Sequence, residues 1–188
     1  MCGRYYIDDE TSREIEKILQ DIDKKKPDKN YKTGEIFPTD TVPILVAQDN
    51  RIVPELYTWG FPNFYKKGVI INARCETAFE KKTFRESLVS RRCIIPASGF
   101  YEWNKTKEKL YFTQPSADIL YMAGIYNTFS GISRFVILTT SANASMADVH
   151  DRMPLILKPE QTETWLSNSS VTQDILYQVP VSLQRRSV

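Results

Sequence analysis

The chain has 188 residues, enough for one well-filled core and short of what two full domains usually need, so a single domain over 1–188 is expected. Its composition, 41% hydrophobic and 26% charged, is that of a globular chain, and no apolar run approaches the roughly 20 residues that cross a bilayer. The net charge of +2 excludes a nucleic-acid role founded on overall charge alone and leaves such a role to a local basic cluster.

The first residues, Met1-Cys2-Gly3-Arg4-Tyr5, run into acidic positions where a signal peptide needs a basic start and an apolar stretch, so a cytoplasmic protein with no membrane association is expected. From Thr11 the pattern Thr11-x-x-Glu14 reads as a capping box, and Ile15, Ile18, Leu19 and Ile22 follow at helical spacing. Lys24, Lys25 and Lys26 suit the helix C-terminus and Pro27 ends it, which makes the basic run a solvated helix end rather than a DNA contact. Residues 28–35 read as a loop. Strand-like runs then dominate: Thr41 to Ala47, Arg51 to Phe61, Val69 to Ala73, Cys93 to Pro96, Leu110 to Thr113, Ile119 to Tyr126 and Arg134 to Thr140. Short helices are predicted over Thr83 to Ser90, Asn143 to Val149 and Pro159 to Ser167, and Gln184-Arg185-Arg186 is expected to fray. The sum is an α+β fold, β-rich, with a barrel-like folded sheet and a few peripheral helices.

Three cysteines, Cys2, Cys75 and Cys93, are odd in number and lack C-x-x-C spacing, so reduced thiols are expected. With His150 as the sole histidine, neither a metal nor any other cofactor is expected. The chemistry concentrates at Cys2. Removal of Met1 is favoured by a small second residue and would leave a 1,2-aminothiol, with an α-amine pKa near about 8 and a thiol near about 8.5. An aldehyde meeting that pair can form an imine and then take the thiol on the same carbon, closing a thiazolidine ring. Cys2 as an incidental terminal residue is the competing reading. Glu102, between Tyr101 and Trp103, is either a general acid–base raised by its aromatic neighbours or a solvent-facing residue of an alternating strand. His150, flanked by Asp151 and Arg152, is either a proton-transfer group or a hydrogen-bonded structural residue. Asn72 and Arg74 are not specific on their own.

Taken together, Met1-Cys2-Gly3-Arg4-Tyr5, Trp59-Gly60-Phe61, Asn72-Ala73-Arg74-Cys75-Glu76-Thr77, Gly99-Phe100-Tyr101-Glu102-Trp103, Thr139-Thr140-Ser141-Ala142-Asn143 and His150-Asp151-Arg152-Met153-Pro154 resemble the SRAP family of SOS-response-associated peptidases, or abasic-site processing proteins. With Pro38-Thr39 upstream and Val179-Pro180-Val181-Ser182 near the end, the resemblance spans essentially the whole chain.

That resemblance implies a monomeric DNA-damage protein that binds single-stranded DNA, or a junction of single and double strand, containing an abasic site. It implies a thiazolidine crosslink through Cys2, an accompanying lyase potential, and recruitment to the nucleoid on damaged DNA. Asn72 would position the α-amine, Glu102 would move protons, and His150 would assist at the sugar oxygen. Arg4, Arg74, Lys82, Thr139 and Arg152 would line the DNA path and Trp103 would stack on a base. A cysteine peptidase or amidohydrolase using the same N-terminal nucleophile is the alternative, with self-processing at Met1 its minimal form. Three departures stand out: Cys75 occupies a position usually held by serine or alanine, Phe64 stands where a second tryptophan is common, and Lys82 gives a point charge where a fork of donors is usual.

Overall fold

The computed structural model describes residues 2–115, 117–167 and 172–188. Fifteen strands and five α-helices are assigned within them. In chain order they are β1 (Tyr5–Ile7), α1 (Arg13–Lys25), β2 (Gly34–Ile36), β3 (Thr41–Gln48), β4 (Arg51–Trp59), β5 (Phe61–Pro62), β6 (Val69–Ile70), β7 (Asn72–Arg74), α2 (Cys75–Ala78), α3 (Lys82–Ser90), β8 (Arg92–Ala97), β9 (Gly99–Trp103), β10 (Lys109–Thr113), β11 (Leu120–Phe129), β12 (Ile132–Ser141), β13 (Arg152–Pro154), β14 (Ile156–Leu157), a 3₁₀ turn (Pro159–Gln161), α4 (Thr162–Ser167), α5 (Thr172–Leu176) and β15 (Gln184–Ser187). The fold is α+β and strand-dominated.

Its centre is a closed ring of strands. β12 pairs with β4, β4 with β3, β3 with β8, β8 with β11, and β11 returns to β12, so no edge is left within the ring. Two of the connections are two-residue hairpins with positive φ at both turn residues, Asp49 and Asn50 in one, Ser130 and Gly131 in the other. β7 and β13 extend β12, in parallel and antiparallel sense respectively. A second sheet, ordered β15-β10-β9-β1-β2, lies against the ring.

Strand alternation gives the barrel wall two apolar faces. Val42, Ile44, Val46, Ile95, Met122, Phe135 and Ile137 share one cluster with Tyr5, Ile7, Phe100 and Phe112 of the second sheet and with Ile15 and Leu19 of α1. Ile94, Ile125, Val136 and Leu138 point the other way, under Phe84 and Leu88 of α3 and Trp165 of α4. The N-terminal strand is thus pinned to the barrel: Tyr5 meets Trp59 edge-on at 5.2 Å, and Trp59 stacks on Phe135. Trp59 donates its indole N–H to the Ile71 carbonyl at 3.0 Å, which holds the segment before β7. Gly60 allows this arrangement, since its φ is +110° and a Cβ there would lie 2.7 Å from the Val69 side chain.

Three local expectations are corrected. The cap of α1 is Ser12, which accepts from the Ile15 N–H, because Asp8 already takes the Thr11 N–H and hydroxyl in a turn. Residues 143–149 form turns rather than a helix, since Asn143 accepts from Ser145 and donates to the carbonyls of Pro180 and Val181. Residues 184–186 do not fray; they pair with β10 as the edge strand β15.

Candidate active site

Cys2 is fully buried where the end of the second sheet meets β7 of the barrel. Asn72, the first residue of β7, donates its side-chain N–H to the Cys2 carbonyl at 3.0 Å, and its Oδ1 is buried without a partner. The Cys2 thiol donates to the Arg4 carbonyl across 3.8 Å. Burial, with a smaller contribution from the charge of nearby Glu102, pushes that thiol up to about 12. The thiol is therefore protonated at neutral pH and needs a base before it can attack.

Glu102 is on β9, opposite Leu110 of β10, and is only 5% exposed. Its two strand neighbours, Tyr101 and Trp103, face the other side of the sheet. The reading of Glu102 as a solvent-facing residue is thereby overturned: it points inward, toward Cys2. Tyr5 also comes close enough for the Cys2 charge to influence it. Its hydroxyl is buried without a partner, and desolvation drives its pKa well upward. Nothing in the spacing of the sequence marks Tyr5.

His150 sits on the segment leading into β13. Its Nδ1 accepts from the Arg152 backbone N–H at 2.9 Å, and Asp151 Oδ1 stands 2.7 Å from the same nitrogen. Nδ1 serves the first contact as an acceptor and would serve the second as a donor, so the two contacts are alternatives.

The basic residues divide into two groups. Arg74 and Lys82 are exposed, at the end of β7 and the start of α3. Arg4 lies over the Phe37 ring at 3.9 Å and the Trp103 ring at 5.3 Å while pairing with Glu35, which also receives Lys109. Burial alone would raise the Glu35 carboxyl, but the hydrogen bonds from Lys109 and Arg4 hold it below its ordinary value. Trp103 is half-exposed.

Arg152 differs from these. It is buried, it forks onto both oxygens of Glu76 at 2.7 and 2.8 Å, and it donates to the carbonyl of Thr139, itself fully buried. This clamp ties β13, which follows His150, to α2, the short helix that follows β7 and Asn72. Hydrogen bonding from Arg152 holds the Glu76 carboxyl below its ordinary value, against the opposing effect of burial. Stability from the pair is complete above the unfolded glutamate value of about 4.3 and is lost as pH falls through the lower folded value. Glu76→Gln is expected to cost about 1 kcal/mol at pH 7, a small figure because the Glu76 side chain is 40% exposed and water screens it. Thermal melts should show the difference between wild type and variant shrinking from pH 7 to pH 3; a difference unchanged over that range would remove the clamp's role in stability.

Cys75 belongs to a different core from Cys2. It is 1% exposed among the residues beneath α2 and α3, and burial pushes its thiol up to about 12. The hairpin of β5 and β6 presents Phe64 and Tyr65 to solvent at its tip. Among the described residues no group of three His, Cys, Asp or Glu side chains converges as metal ligands would, and no helix is long and apolar enough to cross a membrane. Met1, whose removal the chemistry of Cys2 calls for, lies outside the described residues.

A closed barrel flanked by a second sheet, with a buried cysteine and glutamate and a half-buried asparagine gathered where the two meet, defines the class: a β-rich protein with an enclosed cysteine centre. The chain belongs to the SOS response associated peptidase (SRAP) family, whose model matches residues 1–187. It is 36% identical over 191 residues to the abasic site processing protein YoqW of Bacillus subtilis (strain 168), covering 94% of this chain and 84% of that protein. It is 28% identical over 176 residues to the abasic site processing protein YedK of Escherichia coli (strain K12), covering 88% and 79%. A crystal structure of a protein from Bacteroides thetaiotaomicron has the same fold, with a TM-score of 0.79, 23% identity, and 100% of this chain and 92% of that one covered.

Proposed function

We propose that this protein processes abasic sites in DNA by forming a thiazolidine crosslink through Cys2. The observation that carries the reading is the convergence of Cys2, Asn72 and Glu102 at one buried point, in a family whose relatives are named for abasic-site processing. The α-amine of Cys2, freed by loss of Met1, adds to the aldehyde carbon of the ring-opened sugar. Water leaves to give an imine; the sulfur then bonds to the same carbon while the thiol proton passes to nitrogen. Asn72 suits the first step, since its unpartnered Oδ1 can accept from the amine while its N–H holds the Cys2 carbonyl. Glu102 supplies the base that a thiol raised to about 12 requires, and returns the proton. His150 assists proton transfer at the sugar oxygen, and β-elimination from the imine accounts for lyase activity.

In this reading the DNA is single-stranded or a junction of single and double strand. Arg4, Arg74 and Lys82 hold phosphates and Trp103 stacks on a neighbouring base. Arg152 and Thr139 act mainly from behind, by fixing the wall between Asn72 and His150. Residues 1–188 work as one domain and as a monomer, in the cytoplasm and at the nucleoid when bound to damage. Peptidase activity extends no further than exposure of Cys2.

Incubation with a single-stranded oligonucleotide bearing one abasic site should give a shifted, heat-resistant band on a denaturing gel. Intact mass should show Met1 absent from the reactive molecules. No band from protein shown to lack Met1 would overturn the proposal.

A further inference from the structure

The outward face of the second sheet carries side chains that the reaction at Cys2 does not use. Alternation sends Phe100, Glu102 and Phe112 inward, and Tyr101, Trp103, Lys109 and Tyr111 to the opposite face. The register sets Arg186 of β15 across from Tyr111, Tyr111 across from Tyr101, and Lys109 across from Trp103. The rings and cations are continuous. Arg4 lies over Trp103 at 5.3 Å, and Lys109 over both Trp103 and Tyr101, at 5.9 and 4.0 Å. Tyr101 meets Tyr111 at 5.0 Å, and Tyr111 receives Tyr6 at its edge and Arg186 over its ring. Tyr111 lies against bare backbone, because a Cβ on Gly99 would come 2.4 Å from its ring.

At the far end of this row the three tyrosines border a hollow of about 830 Å³, whose rim bears Gln114, Arg186 and the carboxylates Asp8 and Asp118. The partly exposed rings of Tyr6, Tyr101 and Trp103, backed by the buried Tyr111, interleaved with cations and ending in a hollow of amide, guanidinium and carboxylate groups, match unpaired nucleobases. The row begins at Arg4, two residues from Cys2, and at Trp103, next in the chain to Glu102.

We infer that this face is a stacking platform for the bases of a single DNA strand running out from the Cys2 site, with the hollow at Tyr6, Tyr101 and Tyr111 taking a base at its end. The inference rests on the reading of the protein as acting on DNA. Across the face the three carboxylates Glu35, Asp8 and Asp118 balance the three cations Arg4, Lys109 and Arg186, so the net phosphate attraction along the platform is small and stacking carries most of the binding.

The test is a fluorescence-anisotropy titration with undamaged single-stranded oligonucleotides of roughly 4 to 16 nucleotides. Wild-type affinity should climb with length. The double variant Tyr6→Ala/Tyr101→Ala should lose on the order of tenfold at the longest length, while Tyr6→Phe/Tyr101→Phe stays within about twofold of wild type, because a ring face stacks without its hydroxyl. Tyr111 is left in place, since it covers Gly99, and circular dichroism checks that each variant is folded. If the alanine variant fails to fold, photocrosslinking of wild type to iodouracil-bearing oligonucleotides decides the matter: attachment at Tyr6, Tyr101 or Tyr111 supports the platform and attachment only elsewhere overturns it. Length-independent wild-type binding, unchanged affinity in a folded alanine variant, or an equal loss in the phenylalanine variant would each overturn it. These oligonucleotides carry no aldehyde, so the titration is readable even if crosslinking to abasic DNA fails. A crosslink that forms normally beside a flat length dependence removes the platform alone.

Discussion

Cys2→Ala is expected to abolish the heat-stable crosslink while leaving an adduct that borohydride traps. Alanine is small enough for Met1 to be removed and keeps the α-amine, so the imine still forms, but no sulfur is present to close the ring. An imine left open is exposed to β-elimination, so strand cleavage should rise as the stable band disappears. Acetylation confined to the N-terminus makes the opposite change: it silences the amine and leaves the thiol, and both the trapped adduct and the cleavage should vanish. The structure gives a reason for this order of events. A thiol that burial and Glu102 push up to about 12 is almost entirely protonated at neutral pH, whereas an α-amine with a pKa near about 8 has a usable free fraction. Denaturing gels with and without borohydride, on samples whose Met1 removal is verified by mass, decide between the routes. Stable crosslinking by the acetylated wild type, with no trapped adduct from Cys2→Ala, would mean that the thiol acts alone.

The barrel was the most legible part of the fold. β3, β4, β8, β11 and β12 are long or wholly buried runs whose apolar content survives any choice of register, and α1 announces itself through Ile15, Leu19 and Ile22. The second sheet was harder to read. β1, β2 and β15 are only three or four residues long, and β15 reads Gln-Arg-Arg-Ser, a polar string that is a strand only because β10 supplies its partner. The site divides in the same way. The reactivity of Cys2 follows from its own two nucleophiles, but its companions are 70 and 100 residues away, and their approach depends on β7 and β9 being brought to one place by the closure of the barrel and the docking of β1. Spacing could not supply that; the run of family motifs did. Arg152 illustrates the remaining gap. A motif match assigns it to the DNA path, and only coordinates reveal that Glu76 and Thr139 already engage its guanidinium.

Glu102→Gln should slow crosslinking at least tenfold, about 1.4 kcal/mol of barrier, with DNA affinity nearly unchanged. Glutamine keeps the shape and the hydrogen-bonding reach of the side chain but cannot take a proton from sulfur or deliver one to a departing hydroxyl. It also removes the negative charge that helps to hold the Cys2 thiol up, so the thiol pKa should fall somewhat, although burial, the larger cause, keeps it high. The two effects oppose each other. If Glu102 mattered only as a nearby charge, the variant would carry more thiolate at a given pH and would crosslink faster. If it is the proton carrier, the variant slows, and raising the pH restores part of the rate by ionising the thiol without help. Single-turnover rates at saturating abasic oligonucleotide from pH 6 to 9 separate these outcomes, and a parallel titration with undamaged DNA checks affinity. A faster variant, or one whose rate holds while DNA binding collapses, would take proton transfer away from Glu102 and leave it an electrostatic or DNA-contacting role.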